Sequence, residues 1–167
     1  MQVEALSHSH RFDILHLARR FFGTITAKPL TPGEQLLVSK RLRPEERPLF
    51  WGQSPPDRRH AFETMRRAAT NTADLDVLRA ALLHDVGKAE SAIGAVARSI
   101  ATVLDVVGLP MTGGMSAYRA HGELGAEALA RVDATFLAVD FARRHPDPDP
   151  GEHSPDAWRI LLDADDA

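Results

Sequence analysis

Along most of the chain the apolar residues recur every three or four positions, and no stretch alternates in twos. Phe12, Leu15 and the Arg19–Phe22 segment predict an amphipathic helix over His8–Phe22, closed by Gly23. Thr31-Pro32-Gly33-Glu34 reads as a helix start: a threonine cap, proline at the first position and glutamate at the third. That helix is predicted to reach about Arg41. Pro44 opens a short helix through Leu49, Phe50 and Trp51, which Pro48 is expected to break, and the stretch before Gly52 reads as a helical cover. Ser54-Pro55-Pro56-Asp57 starts a long helix to about Asn71, and Asp74 caps another over Leu75–Asp85. Helices over Ala89–Val107, Ser116–Arg131 and Asp133–Arg144 follow, with a loop at Gly108–Gly114. Alternating prolines between His145 and Gly151 exclude regular structure, and Ser154-Pro155 caps a last helix. No repeat or dividing linker is visible. The pattern predicts an all-α helical bundle: one domain over 1–167, with a helical extension at 1–53 and a core at 54–167.

Composition narrows the chemistry. The chain has 167 residues, 44% hydrophobic and 6% aromatic, enough for one domain with a real core. It has no cysteine, so disulfides and thiolate chemistry are excluded, and any metal must bind through His, Asp or Glu. No apolar run is long enough to cross a membrane, and the first twenty residues lack a secretory hydrophobic segment, so a cytoplasmic location is expected. A net charge of −3 argues against a dedicated nucleic-acid binder. Arginines crowd the first half and aspartates the end. Two solvated faces explain this, as does a basic rim steering an anionic substrate toward an acidic site.

The chemistry centres on Ala80-Ala81-Leu82-Leu83-His84-Asp85-Val86-Gly87-Lys88. An apolar helix ends in adjacent nitrogen and oxygen donors, a pair suited to a borderline or harder transition metal. Gly87 reads as the helix terminator and Lys88 as a nearby cation for phosphate. His60 lies at the border of a buried face made by Ala61, Phe62, Met65, Ala68 and Ala69, where a cleft wall or a plain surface histidine would sit. His121 shares an apolar face with Leu124, Gly125 and Ala128, and His145 follows Ala134, Ala138 and Phe141 on another. Taken alone, a histidine placed like His121 is normally a hydrogen-bonded core residue. Of the terminal carboxylates, Asp165 shares the stripe of Trp158, Leu161 and Leu162, and a charge there must be paired or ligate a metal. His60, His84, Asp85 and Asp165 together make a two-nitrogen, two-oxygen set that suits Mn, Fe, Co, Ni or Zn and fits calcium poorly. His8, His10, His16 and His153 read as surface residues. Gly113-Gly114 is no phosphate loop, since no strand precedes it and no Lys-Ser/Thr follows.

Leu82-Leu83-His84-Asp85-Val86-Gly87-Lys88 resembles the signature of HD-domain metal-dependent phosphohydrolases, HDIG-like in its H…HD…H…H…D order. Asp57-Arg58-Arg59-His60-Ala61 resembles the family's first-histidine segment, and His121 to Leu129 its H-x-E-x-G-A-x-x-L segment. His145 stands where relatives often carry paired histidines, with Pro146 in place of the second, and Asp165 matches a terminal Leu-x-x-Ala-Asp. The resemblance covers roughly Ser54 to Asp166. It implies an HD-type helical bundle holding one or two divalent transition-metal ions, Asp85 being shared with a second ion on His121 and His145. It implies hydrolysis of a phosphoester or phosphoanhydride in a nucleotide-like small molecule through metal-activated water. Asp85 and Lys88 are then the catalytic residues, with Lys88 and more weakly Arg67 on the substrate phosphate. Arg98 and Arg119 read as salt-bridge residues. The Gly-Tyr-Pro segment of the cyclic-di-GMP branch is absent. Pro146 keeps open a non-catalytic nucleotide- or partner-binding module, and a di-iron oxygenase on the same fold is the other alternative. The Phe50-Trp51 region reads equally as a homodimer surface and as core.

Overall fold

The computed structural model describes residues 28–90 and 121–166. The expected His8–Phe22 helix, nearly all of Ala89–Val107, the Gly108–Gly114 loop and the start of Ser116–Arg131 lie outside the described residues. So do His8, His10, His16, Arg98 and Arg119.

Helix α1 spans Pro32–Arg41 and opens with a capping box: the Thr31 hydroxyl accepts from Glu34 N, and Thr31 N donates to Glu34 Oε2 at 2.7 Å. Helix α2 spans Arg47–Gly52. Pro48 therefore begins a helix instead of breaking one, and Pro44 sits in the turn before it. In a first turn the missing proline N–H leaves no bond unmade. Helix α3 spans Pro55–Ala68 under a Ser54 cap, and α4 spans Leu75–Leu83 under an Asp74 cap. The His-Asp pair lies beyond the end of α4, in a turn at 84–86, instead of closing the helix as expected. Helices α5 (Gly87–Glu90), α6 (His121–Arg131), α7 (Phe136–Arg144) and α8 (Pro155–Asp166) follow. Helix α7 is capped by Thr135 and so starts later than the expected Asp133, which takes a left-handed φ of 50° in the turn before it. No strand occurs among the described residues.

Helix α4 is the axis. Helices α1, α2, α3, α7 and α8 all pack on it, and Val77, Leu78, Ala80, Ala81, Leu82 and Leu83 are buried. A helix enclosed on nearly all sides must be apolar nearly all round, as this one is. Burial of Leu82 or Leu83 contributes roughly 1.5–3 kcal/mol each. Whatever follows Leu83 emerges in the middle of the bundle.

The segment before α3 is built into the same core. Val38, Leu42 and Phe50 are buried, so Phe50 is core and not a free surface, and Trp51 meets its ring edge-on. Glu46 is fully buried and takes Arg43 N at 2.9 Å and Arg43 Nε at 3.0 Å. Arg43 also donates to Asp133 O at 2.7 Å, and Arg79 on α4 donates to Arg41 O at 3.0 Å. A buried carboxylate is tolerable because it is paired and hydrogen-bonded in this way. Several other arginines are engaged locally: Arg59 with Glu34, Arg66 with Glu63, and Arg79 with Asp76. This favours solvated pairs over an open basic rim along these helices. Among the described residues, no helix is long and apolar enough to cross a membrane.

Candidate metal centre

Because α4 is central, the residues that follow it are enclosed: His84 and Asp85 are each 1% exposed. Four other elements bring the remaining predicted donors to them. His60 comes from the middle of α3, His121 from α6, His145 from the cap after α7 and Asp165 from the last turn of α8.

Asp85 lies at the junction. Its Oδ2 is 3.3 Å from His84 Nε2 and 3.8 Å from His60 Nε2, and it forms a salt bridge with Lys88 Nζ. Its Oδ1 is 3.6 Å from His145 Nε2 and 3.9 Å from His121 Nε2. The two oxygens thus face two different groups of imidazoles. Asp165 Oδ1 completes the first group, 2.9 Å from His60 Nε2 and 3.1 Å from His84 Nε2. Three overlapping triads have donor atoms within 4.8 Å of one another: His60-His84-Asp85, His84-His145-Asp165 and Asp85-His121-His145. All six histidine and aspartate donors expected from the sequence come together.

Two imidazoles are oriented by main-chain carbonyls. His84 Nδ1 lies 2.9 Å from Ala81 O, and His145 Nδ1 lies 2.9 Å from Phe141 O. A carbonyl only accepts, so each Nδ1 carries the proton and donates, and each Nε2 is turned toward the carboxylates. This is how a metal-ligating imidazole is usually held. Sequence reading did not find these carbonyls. They follow from helix geometry, each lying three or four residues before its histidine.

Electrostatics fit a cation. Burial opposes charge on His84, but Asp85 and Asp165 outweigh it and raise its pKa to about 10. Burial likewise opposes ionisation of Asp85 and Asp165. Lys88 and His84 nevertheless hold Asp85 well below the usual carboxylate range, and His84 and His60 do the same for Asp165. His84 Nε2, Asp85 Oδ1 and Asp165 Oδ1 are buried and make no aligned hydrogen bond. Buried polar atoms left in that state are costly. A divalent ion among them would satisfy all three, and the mixed imidazole and carboxylate set suits a first-row transition metal.

Other predictions fare differently. Arg67 does lie near Asp165, but its Nη1 donates to Ala164 O at 3.0 Å and so ties α3 to α8. Asp163 and Asp166 are exposed, as the stripe argument required. Gly87 does not terminate a helix; it begins α5. A Cβ at Gly87 would lie 1.9 Å from His121 O and 2.5 Å from Gly125 N, so its role is to let the HD turn press against α6. His153 is not a surface residue: its side chain is 9% exposed, stacks on Trp158 and reaches Asp140. Nothing local in the sequence signals that, since its partners lie thirteen residues before it and five after. Pro146, in place of a second histidine, does not keep His145 out of the cluster.

Imidazoles and carboxylates from five elements thus converge around the buried His84-Asp85 pair in a donor set able to hold a divalent metal. The HD domain family matches residues 58–166, well over half of the chain, and the chain belongs to that family of metal-dependent hydrolases. Searches of curated proteins and of solved structures gave no significant match.

Proposed function

We propose that this protein is a metal-dependent phosphohydrolase of HDIG-like type, acting on a phosphoester or phosphoanhydride of a nucleotide-like small molecule through metal-activated water. The observation that carries the reading is the division of Asp85, with Oδ2 toward His60 and His84 and Oδ1 toward His121 and His145. On this reading His60, His84, Asp85 and Asp165 hold one ion, and Asp85, His121 and His145 a second. When bound, such ions lower the pKa of water and draw off phosphate charge. The chain supplies the rest. The Ala81 and Phe141 carbonyls fix the imidazoles, and burial of His84 and Asp85 excludes bulk water. Lys88 holds a positive charge beside the shared carboxylate, where it neutralises a phosphate oxygen as charge develops. His60, 32% exposed, marks the side open to substrate.

The test is metal content by plasma mass spectrometry, followed by phosphate release from nucleoside monophosphates, dinucleotides, cyclic nucleotides and ppGpp-like compounds. About two transition-metal ions per chain with phosphate release from one of these classes supports the reading. No metal after reconstitution with Mn, Fe, Co, Ni and Zn would leave a binding module instead. Oxygen consumption by the iron-loaded protein, without hydrolysis, would point to an oxygenase.

A further inference from the structure

His145 and Asp165 ride on helices that share the axis α4 but differ in their other neighbour. Helix α7 packs on α4 and α6, and α8 packs on α3 and α4. What joins them directly is a cluster of side chains beside the metal centre. Arg144 donates to Asp140 Oδ2 through Nε at 3.0 Å and Nη2 at 2.6 Å. It also reaches across the turn after His145 to Asp149 O at 2.9 Å and Pro150 O at 3.3 Å. Its guanidinium lies 4.6 Å from the centre of the Trp158 ring. His153 Nε2 meets the same Asp140 Oδ2 at 3.0 Å, and its ring is parallel to Trp158 at 5.5 Å. Trp158 Nε1 donates to Asp147 O at 2.8 Å. The turn from Asp147 to His153 is therefore held at three main-chain carbonyls and one imidazole.

Asp140 and Trp158 each share a helix with a donor. Asp140 is on α7, five residues before His145, and Trp158 is one seven-residue repeat before Asp165 on the same face of α8. Phe141, whose carbonyl fixes His145 Nδ1, meets Trp158 edge-on at 5.1 Å. His145 N still donates to Phe141 O at 2.9 Å, but the proline-interrupted segment beyond it has no helical ladder, so side chains hold that segment against α7 and α8.

We infer that Asp140, Arg144, His153 and Trp158 form a clasp that positions His145 for the second group of donors and keeps it in register with Asp165. The inference rests on the reading of the centre as two ion sites sharing Asp85. These four are positioning residues, since none is among the donors.

The test is stepwise Mn²⁺ binding to the full chain, measured by titration calorimetry with chelator competition and by melting temperature. The variants are Arg144→Ala and Trp158→Phe, the second keeping an aromatic ring in the core while losing the bond to Asp147 O. Both are expected to weaken the second ion by about 10-fold or more and to leave the first within about 2-fold of the unmutated protein. An unchanged second ion in both variants overturns the inference. Equal weakening of both ions with a fall in melting temperature, in both variants, also overturns it, since that is a general structural effect. If the unmutated protein takes up only one ion, the two-ion reading itself fails and the clasp falls with it; that failure shows before any substitution is made.

Discussion

The two groups of donors around Asp85 are held by different physics. The first has four members, and its central imidazole, His84, is fixed by the end of α4, the most buried helix among the described residues. The second has three, with His121 on α6 and His145 at the edge of an irregular turn. Core packing fixes the first. The second depends on how closely two helices approach, and glycines set that approach: a Cβ at Gly87 would strike α6, and one at Gly122 would lie 2.8 Å from Arg143 O on α7. Nominally equivalent histidines thus stand on unequal foundations, and the second ion is expected to be the weaker and the first lost.

The largest effect should come from removing what the groups share. Asp85→Ala is expected to abolish uptake of both ions and lower phosphate release by at least roughly 100-fold, read by plasma mass spectrometry and steady-state rates. Retention of two ions would break the comparison at its centre. Gly87→Ala comes next. Its methyl has no room against His121 O, and a cost of about 1–3 kcal/mol in a urea titration is expected, with second-ion binding lost before first. A fold-neutral Gly87→Ala would mean that the helix contact is slack.

His121→Ala and His60→Ala sharpen the contrast. The first should lower second-ion affinity by roughly 10–100-fold and spare the other ion, whereas His60→Ala should weaken the first. Equal effects from both would show a single mixed site. The pH dependence follows from His84. Its pKa in the metal-free protein is raised to about 10 from 6.5, so the stabilisation it gives is complete below 6.5 and is lost as pH rises through about 10. A metal must displace that proton, so affinity for the first ion should rise by up to about tenfold per pH unit across neutral pH. Calorimetry in buffers of different ionisation enthalpy reads the released proton directly, and zero release would contradict this account.

The smallest effect lies far from the centre. Arg59 holds Glu34 down to about 2, so this pair contributes fully above about pH 4.5 and its contribution is lost as pH falls toward 2. Glu34→Gln is expected to cost less than about 1 kcal/mol at neutral pH, measured by urea midpoint, without altering uptake of either ion.

Much of this was legible in residue order because helices follow local rules. Thr31, Ser54 and Asp74 announced their caps, and stripe position alone separated Asp165 from Asp163 and Asp166. Pro48 misled because a proline can begin a helix as well as stop one, and only the preceding turn decides which. Gly87 misled for a similar reason: a glycine after a helix suggests termination, whereas what requires it is a carbonyl on a helix more than thirty residues away. His153 was hidden because its neighbours are distant in order and its own segment has no periodicity.

The buried Glu46, with Val38, Leu42 and Phe50 around it, bears on how this protein can be divided. The family match begins at residue 58, but these side chains precede it and fill the space against α4. A fragment begun at the edge of the match would expose one side of the axial helix to water, and would be expected to precipitate or remain molten. The stretch that ancestry marks out is thus shorter than the stretch that physics requires, and expression trials or domain transplants should follow the packing and keep residues 28–57 attached.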